Sequence, residues 1–150
     1  MRSWVAANPW AVKDCLILGI CIFVVAFFLP ACRDASTAVG SVGTLAGWQC
    51  AELSLSLVSG KDTFQSPFFL AFISGWINPL ILLYLPFSLK PRFFKLRRIL
   101  ASAILICIAA TWTFFAIAHF VPLIGHVLWI AGVLLILVAE LSVPTQKPLV

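Results

Sequence analysis

The chain has 150 residues, of which 63% are hydrophobic and 10% are charged. This composition lies outside the range of soluble globular domains and indicates a lipid bilayer as the solvent. At about 20 residues per span, the length accommodates four spans and excludes a separate soluble catalytic domain. The excess of 10 Lys and Arg over 5 Asp and Glu is better explained by membrane orientation than by a nucleic-acid partner.

The first predicted span covers residues 9–30. Asn8 is a capping residue and Pro9 suits the first helical position, where its missing N–H costs nothing. From Cys15 to Leu29 every residue is apolar or glycine. We therefore expect a helix that crosses the bilayer once.

The same segment also resembles a secretory signal peptide. Arg2 and Lys13 precede the apolar run, which ends in a lipoprotein-type Leu29-Pro30-Ala31-Cys32 sequence. Because Pro30 fits a cleavage site poorly, we expect an uncleaved anchor.

Three further apolar segments predict spans over residues 67–88, 98–119 and 122–140. The second opens with Ser66-Pro67 and the fourth with Pro122, again placing proline at the start of a helix. The predicted fold is an all-α membrane protein, a four-helix transmembrane bundle that forms one domain over residues 1–150.

The basic connection, residues 89–98, predicts the orientation of the spans. Positive residues concentrate on the cytoplasmic side of membrane proteins. We therefore expect both termini in the cytoplasm, and the outer loop (residues 31–64) and the turn near Phe120 on the other side. The predicted cytoplasmic anchor consists of Lys90, Arg92, Lys95, Arg97 and Arg98.

The outer loop contains a predicted interfacial helix over residues 47–58. Helical spacing gathers polar residues on one stripe and apolar residues, including Trp48, on another. Residues 53–57 also alternate as a strand would. The helix is favoured because a lone strand would leave its backbone unpaired at the membrane surface.

The five cysteines fall into two groups. Cys15, Cys21 and Cys107 lie within predicted spans, where cysteine packs as a small hydrophobic residue. Cys32 and Cys50 lie in the outer loop, and we expect a structural disulfide between them. The chain has no Cys-x-x-Cys pair, which argues against a quinone-linked thiol oxidoreductase.

Asn78-Pro79 lies in the middle of the second predicted span. Pro79 cannot donate to the carbonyl of Gly75, so a kink is expected there. Asn78 could satisfy freed backbone groups or bond to a neighbouring helix. It could instead line a substrate or ion pathway, for which the further polar candidates are Ser74, Ser102, Thr111 and Thr113.

His119 and His126 flank the start of the fourth predicted span. If the helix began early enough, they would lie two turns apart on one face, although Pro122 between them weighs against this. We interpret them, with Trp48, as residues of the membrane interface. Haem or metal ligation would need partner ligands that the sequence does not supply, so no metal and no cofactor are expected.

Two family layouts resemble this sequence. A long first outer loop containing Gly47-Trp48-Gln49-Cys50 is similar to that of claudin-like tetraspan proteins, but the expected second cysteine shortly downstream is absent. The sequence more closely resembles small uncharacterised bacterial four-helix membrane proteins in Leu29-Pro30, Gly47-Trp48 and Trp76-Ile77-Asn78-Pro79. This resemblance implies the bacterial cytoplasmic membrane and no particular activity.

The functional prediction is a non-enzymatic membrane protein that acts by interaction. It would serve as an accessory subunit, an assembly partner or an immunity-type protector, with lipid and other subunits or its own copies as partners. The alternative is a small oligomeric transporter or channel with a midplane site at Asn78-Pro79. An enzyme or electron carrier using His119 and His126 is the least favoured hypothesis.

Overall fold

The computed structural model describes residues 9–34, 43–56, 68–88 and 90–141 and is mostly helical there. The α-helices are α1 (Pro9–Ala26), α2 (Gly47–Ser56), α3 (Phe68–Gly75), α4 (Ile77–Ser88), α5 (Phe94–Ile117) and α6 (Ile124–Leu141). A short 3₁₀ turn covers Pro91–Phe93. Three short strands are β1 (Pro30–Asp34), β2 (Thr44–Ala46) and β3 (Phe120–Pro122).

Two helical segments in the described ranges are long and apolar enough to cross a membrane. They are Phe69–Ser88, which comprises most of α3 and all of α4, and Phe94–Ile117, which is α5. The apolar part of α6, Ile124–Val138, is shorter. Length and composition thus agree with a membrane location for the second and third predicted spans.

Helices α1 and α6 approach each other closely through glycine. A Cβ on Gly132 would lie 2.8 Å from the backbone nitrogen of Phe23 and 2.9 Å from the carbonyl oxygen of Gly19. Any larger side chain would push the two backbones apart. Small residues allow this kind of contact between helices where lipid supplies no hydrophobic drive.

The packed core lies toward the end of the helices that carries the basic connection. Its fully buried apolar members come from α4, the first half of α5 and the second half of α6. They are Ile77, Ile81, Tyr84, Ile104, Val133 and Ile136. This half of the molecule is filled by interlocking apolar side chains.

The opposite end carries a three-stranded antiparallel sheet in the order β2-β1-β3. Cys32 pairs with Leu45 on one side and with Pro122 on the other. The sheet corrects the all-α prediction. Segments leaving helices at this end need backbone partners, and pairing three of them satisfies groups that a lone strand would leave unpaired.

Helix boundaries differ from the predicted spans at two places. Helix α1 ends at Ala26, where Phe27 N bonds to Val24 O three residues back, before β1 begins at Pro30. Helix α5 begins at Phe94, so half of the predicted basic connection, residues 94–98, is α-helical. Arg97 is buried there and donates to the carbonyl of Ser88, satisfying a terminal acceptor of α4.

Candidate functional site

A cavity of about 240 Å³ lies beneath the sheet and α2, and we call it the sheet-end cavity. Its walls come from the α3–α4 junction, the last turns of α5 and the first turns of α6. Most of the lining is apolar. The polar side chains among the lining residues are Cys32, Cys50, Ser54, Ser74, Asn78, Thr111 and His126.

The α3–α4 junction is an interruption of the helix at Trp76. Trp76 N donates to Ile73 O at 3.2 Å, and regular spacing resumes where Leu80 N donates to Trp76 O at 3.0 Å. Pro79 has no N–H to offer the Gly75 carbonyl. The structure therefore places the interruption three residues before Pro79, and the junction lines the cavity.

Gly75 lets α2 rest directly on this junction. A Cβ at Gly75 would lie 2.8 Å from Cβ of Ser54. The close approach positions α2 as the roof of the cavity. This helix is the one predicted in the outer loop, although residues 57–58 of that prediction lie outside the described residues.

Asn78 bonds to a neighbouring helix. Its Oδ1 accepts a hydrogen bond of 3.3 Å from Nε1 of Trp129 in α6. This contact is one of the two roles considered for the amide. Both residues also line the cavity, so the bond ties together two of its walls.

His126 is buried at the cavity, with 5% of its surface exposed. Its ring lies 4.6 Å from that of Phe115 and 5.6 Å from those of Trp112 and Trp129, centroid to centroid. Its Nε2 has no hydrogen-bond partner in the described part of the chain. A buried polar atom of this kind requires an explanation.

His119 is separated from His126 and does not join the site. It is exposed, adopts a left-handed backbone with φ of 56°, and precedes β3. Helix α6 begins only at Ile124, so the shared helical face considered for the two histidines does not form. Strand β3 and Pro122 end the helical continuity between them.

Cys32 and Cys50 come together across the cavity roof with their sulfur atoms in contact but not bonded covalently. Their sulfur atoms lie 3.4 Å apart, at hydrogen-bonding distance, whereas a disulfide requires about 2.05 Å. The predicted disulfide is therefore not formed in this structure. The hydrogen bond with Cys32, followed by burial, raises the pKa of the Cys50 thiol well above its ordinary value of 9.0.

Three hydroxyl groups of the lining already donate their protons. Ser54 Oγ donates to Cys50 O at 2.8 Å, Ser74 Oγ to Ala71 O at 2.7 Å, and Thr111 Oγ1 to Cys107 O at 2.9 Å. Each oxygen keeps lone pairs that can accept. These groups therefore present acceptors to the cavity.

The remaining candidate residues lie away from the cavity. Trp48 is exposed, and its backbone N–H donates to Phe27 O at 3.0 Å. The anchor residues Lys90, Arg92, Lys95 and Arg98 are exposed at the opposite end. Within the described ranges, no three His, Cys, Asp or Glu residues gather as a metal site would require.

Ser54, Phe115 and Trp129 were not predicted as parts of the site from the sequence. The spacing of three between His126 and Trp129 on one helix does place both on one face, and this was the available signal. Contacts from α2 and α5 depend on long-range packing that no local pattern reports.

Comparison with known proteins identifies no relative. No protein-family model matches the sequence, and no curated protein or solved structure matches it either.

Proposed function

We propose that this chain is an integral membrane protein that crosses the bilayer four times, through α1, α3–α4, α5 and α6. The sheet gathers residues 30–34, 44–46 and 120–122 at one end, and the basic residues lie at the other. The separation of the sheet from the basic residues supports an orientation with both termini in the cytoplasm, in a bacterial cytoplasmic membrane. Large apolar side chains point outward on every proposed span, among them Ile17, Leu82, Ile106 and Val127.

The orientation is tested by labelling single cysteines with a membrane-impermeant reagent, in a variant whose five native cysteines are replaced by serine or alanine. Glu52→Cys in α2 should react in intact cells, and Lys95→Cys should react only after permeabilisation. Both residues are exposed, so accessibility reports sidedness rather than burial. Reversed labelling would contradict the orientation.

The protein acts, in this proposal, by non-covalent interaction as an accessory subunit, an assembly partner or an immunity-type protector. The sheet-end cavity is the site at which it binds a small molecule. The observation that carries this proposal is His126, which lines an apolar cavity together with several hydrogen-bond acceptors and whose buried Nε2 has no partner in the described part of the chain. Pockets of this kind, apolar with a few convergent polar groups, are typical ligand sites.

The lining supports binding rather than nucleophilic catalysis. The hydroxyl protons of Ser74 and Thr111 go to helix carbonyls instead of to a base. The raised pKa of Cys50 keeps its thiol protonated, and a protonated thiol is a poor nucleophile. None of these three side chains is activated by a base or by a lowered pKa, as a catalytic nucleophile would need to be.

The binding role is tested by filling the cavity. Ala51 in the roof lines it, and Ala51→Phe should occupy much of its volume. Ala109→Phe, on the exposed face of α5, is the matched control. Native mass spectrometry of protein purified in mild detergent should show a bound small molecule in the wild type and the control, and none in Ala51→Phe. A wild-type protein that carries and takes up no small molecule would overturn the proposal.

Transport by an oligomer is the second candidate, favoured by the interrupted helix at Trp76 and by Asn78 in the cavity wall. A transport path through a single chain is disfavoured, because the half of the helix bundle away from the cavity is filled by buried apolar side chains such as Ile81, Ile104 and Ile136. Flux into liposomes that falls in Asn78→Ala without loss of stability would favour transport. A stoichiometric protein partner that co-purifies would favour the subunit role.

A further inference from the structure

The volume of the sheet-end cavity limits the size of its ligand. A cavity of roughly 150 Å³ holds a benzene molecule. At about 240 Å³, this one has room for a single ring with a short substituent. Larger lipids would have to leave most of their length outside.

The charge of the lining limits the ligand further. No Asp, Glu, Lys or Arg is among the described residues that line the cavity. An ion would lose its hydration without gaining a counter-charge, and that transfer is strongly unfavourable. The ligand is therefore neutral.

The hydrogen-bonding groups specify the polar part of the ligand. The hydroxyl oxygens of Ser54, Ser74 and Thr111 can accept a hydrogen bond from a donor on the ligand, because their own protons already bond to backbone carbonyls. An uncharged imidazole carries either a proton or a lone pair on Nε2, depending on its tautomer. A hydroxyl group both donates and accepts, so it can pair with Nε2 in either tautomer.

The aromatic lining indicates the shape of the apolar part. Phe114, Phe115, Phe120 and Trp129 all line the cavity, and the rings of Phe114 and Phe120 stack 5.7 Å apart. Ring faces and edges arranged this way favour another aromatic ring over an aliphatic chain of equal volume.

From these observations, and resting on the proposed binding function, we infer that the sheet-end cavity binds a small neutral aromatic alcohol. The ring packs among the aromatic side chains. The hydroxyl group donates its proton to Thr111 Oγ1, whose own proton goes to Cys107 O, and accepts a hydrogen bond from Nε2–H of His126.

The test compares para-propylphenol with para-propyltoluene, which replaces the hydroxyl by a methyl group of similar size. Affinities for the full-length protein in one mild detergent are measured by calorimetry. The ratio of the two affinities is compared among variants, so that partitioning of each probe into micelles cancels. One hydrogen bond at a buried site should make the wild-type ratio about tenfold larger than that of His126→Phe.

Thr111 provides a second and independent measurement. Thr111→Val should lower the preference for the phenol several-fold, whereas Thr113→Val should leave it unchanged. Both threonines bond to a carbonyl four residues back on α5, but Thr111 is buried at the cavity and Thr113 is exposed. This pair remains informative if His126→Phe does not fold.

The outcomes separate the two proposals. If neither probe binds the wild type, the aromatic alcohol is wrong, and the mass-spectrometry comparison of the wild type with Ala51→Phe decides the binding function separately. If both probes bind and Ala51→Phe abolishes binding, but the ratio is the same in the wild type, His126→Phe and Thr111→Val, the aromatic alcohol is wrong and the binding function stands.

Discussion

Nε1 of Trp129 donates a hydrogen bond to Oδ1 of Asn78 across 3.3 Å and joins α6 to the first turn of α4. The bond lies immediately after the break at Trp76, where the helix has lost regular backbone bonding. A polar contact at an interrupted helix fixes the relative position of two elements that apolar packing alone would allow to slide.

This hydrogen bond should contribute measurably to stability. We expect Asn78→Ala to lower the free energy of unfolding by roughly 0.6 to 2 kcal/mol, the usual range for interhelical bonds in membranes. Trp129→Phe removes the donor but keeps a ring, and the double variant should lose less than the sum of the single variants. Unfolding in detergent measures all three. Strict additivity would show that the bond contributes nothing.

The paired thiols should make the stability of the reduced protein depend on pH. The folded state raises the pKa of Cys50, so it holds the thiol proton more tightly than the unfolded state does. The contribution of Cys50 to the free energy of unfolding is therefore fully present below pH 9, and it should be lost as the pH rises above that value. Melting curves at pH 8 and pH 10 measure the fall, and Cys50→Ser should reduce it. If the melting temperature of Cys50→Ser fell by the same amount between pH 8 and pH 10, other titrating groups would be responsible for the pH dependence.

Oxidation should convert the thiol contact into a disulfide. The sulfurs at 3.4 Å need only a small movement, and an added disulfide such as oxidised glutathione accepts the two electrons. We expect the bond to stabilise the protein by about 3 kcal/mol, since it closes a loop of about 18 residues. Non-reducing peptide mapping detects the linked peptides. Two alkylatable thiols after oxidation would contradict this expectation.

The left-handed backbone at His119 should favour glycine. At φ of 56°, a side chain with a Cβ is strained, and a β-branched one is strained most. We expect His119→Gly to raise the melting temperature or leave it unchanged, and His119→Val to lower stability by about 1 kcal/mol or more. A histidine with a functional role would instead reveal itself by loss of ligand or partner binding in both variants.

The close contact of α1 and α6 should not tolerate a larger residue at Gly132. A Cβ there meets backbone atoms of Phe23 and Gly19, which cannot move aside as a flexible side chain would. We expect Gly132→Ala to cost about 1 to 3 kcal/mol. Gly43→Ala is the control, because a Cβ at that position meets nothing within 4 Å. Equal stability of the two variants would contradict the packing described here.

Local sequence features were enough to predict the apolar helices and an interruption near Pro79. These depend on local properties: runs of apolar residues long enough to cross a bilayer, and a proline that lacks an N–H. The helix Gly47–Ser56 follows for the same reason, because its two stripes repeat with helical spacing.

The sheet, the burial of Arg97 and the cavity around His126 depend instead on contacts between distant parts of the chain. The strands are three to five residues long, and their pairing joins Cys32 to residues 13 and 90 positions later. No periodicity within such short segments can report that pairing. Arg97 was predicted as part of the cytoplasmic anchor with its basic neighbours, yet packing of α5 against the end of α4 buries it and gives it a carbonyl to bond. His126 likewise becomes a cavity wall because Phe115 and Trp129, from two different helices, close around its ring.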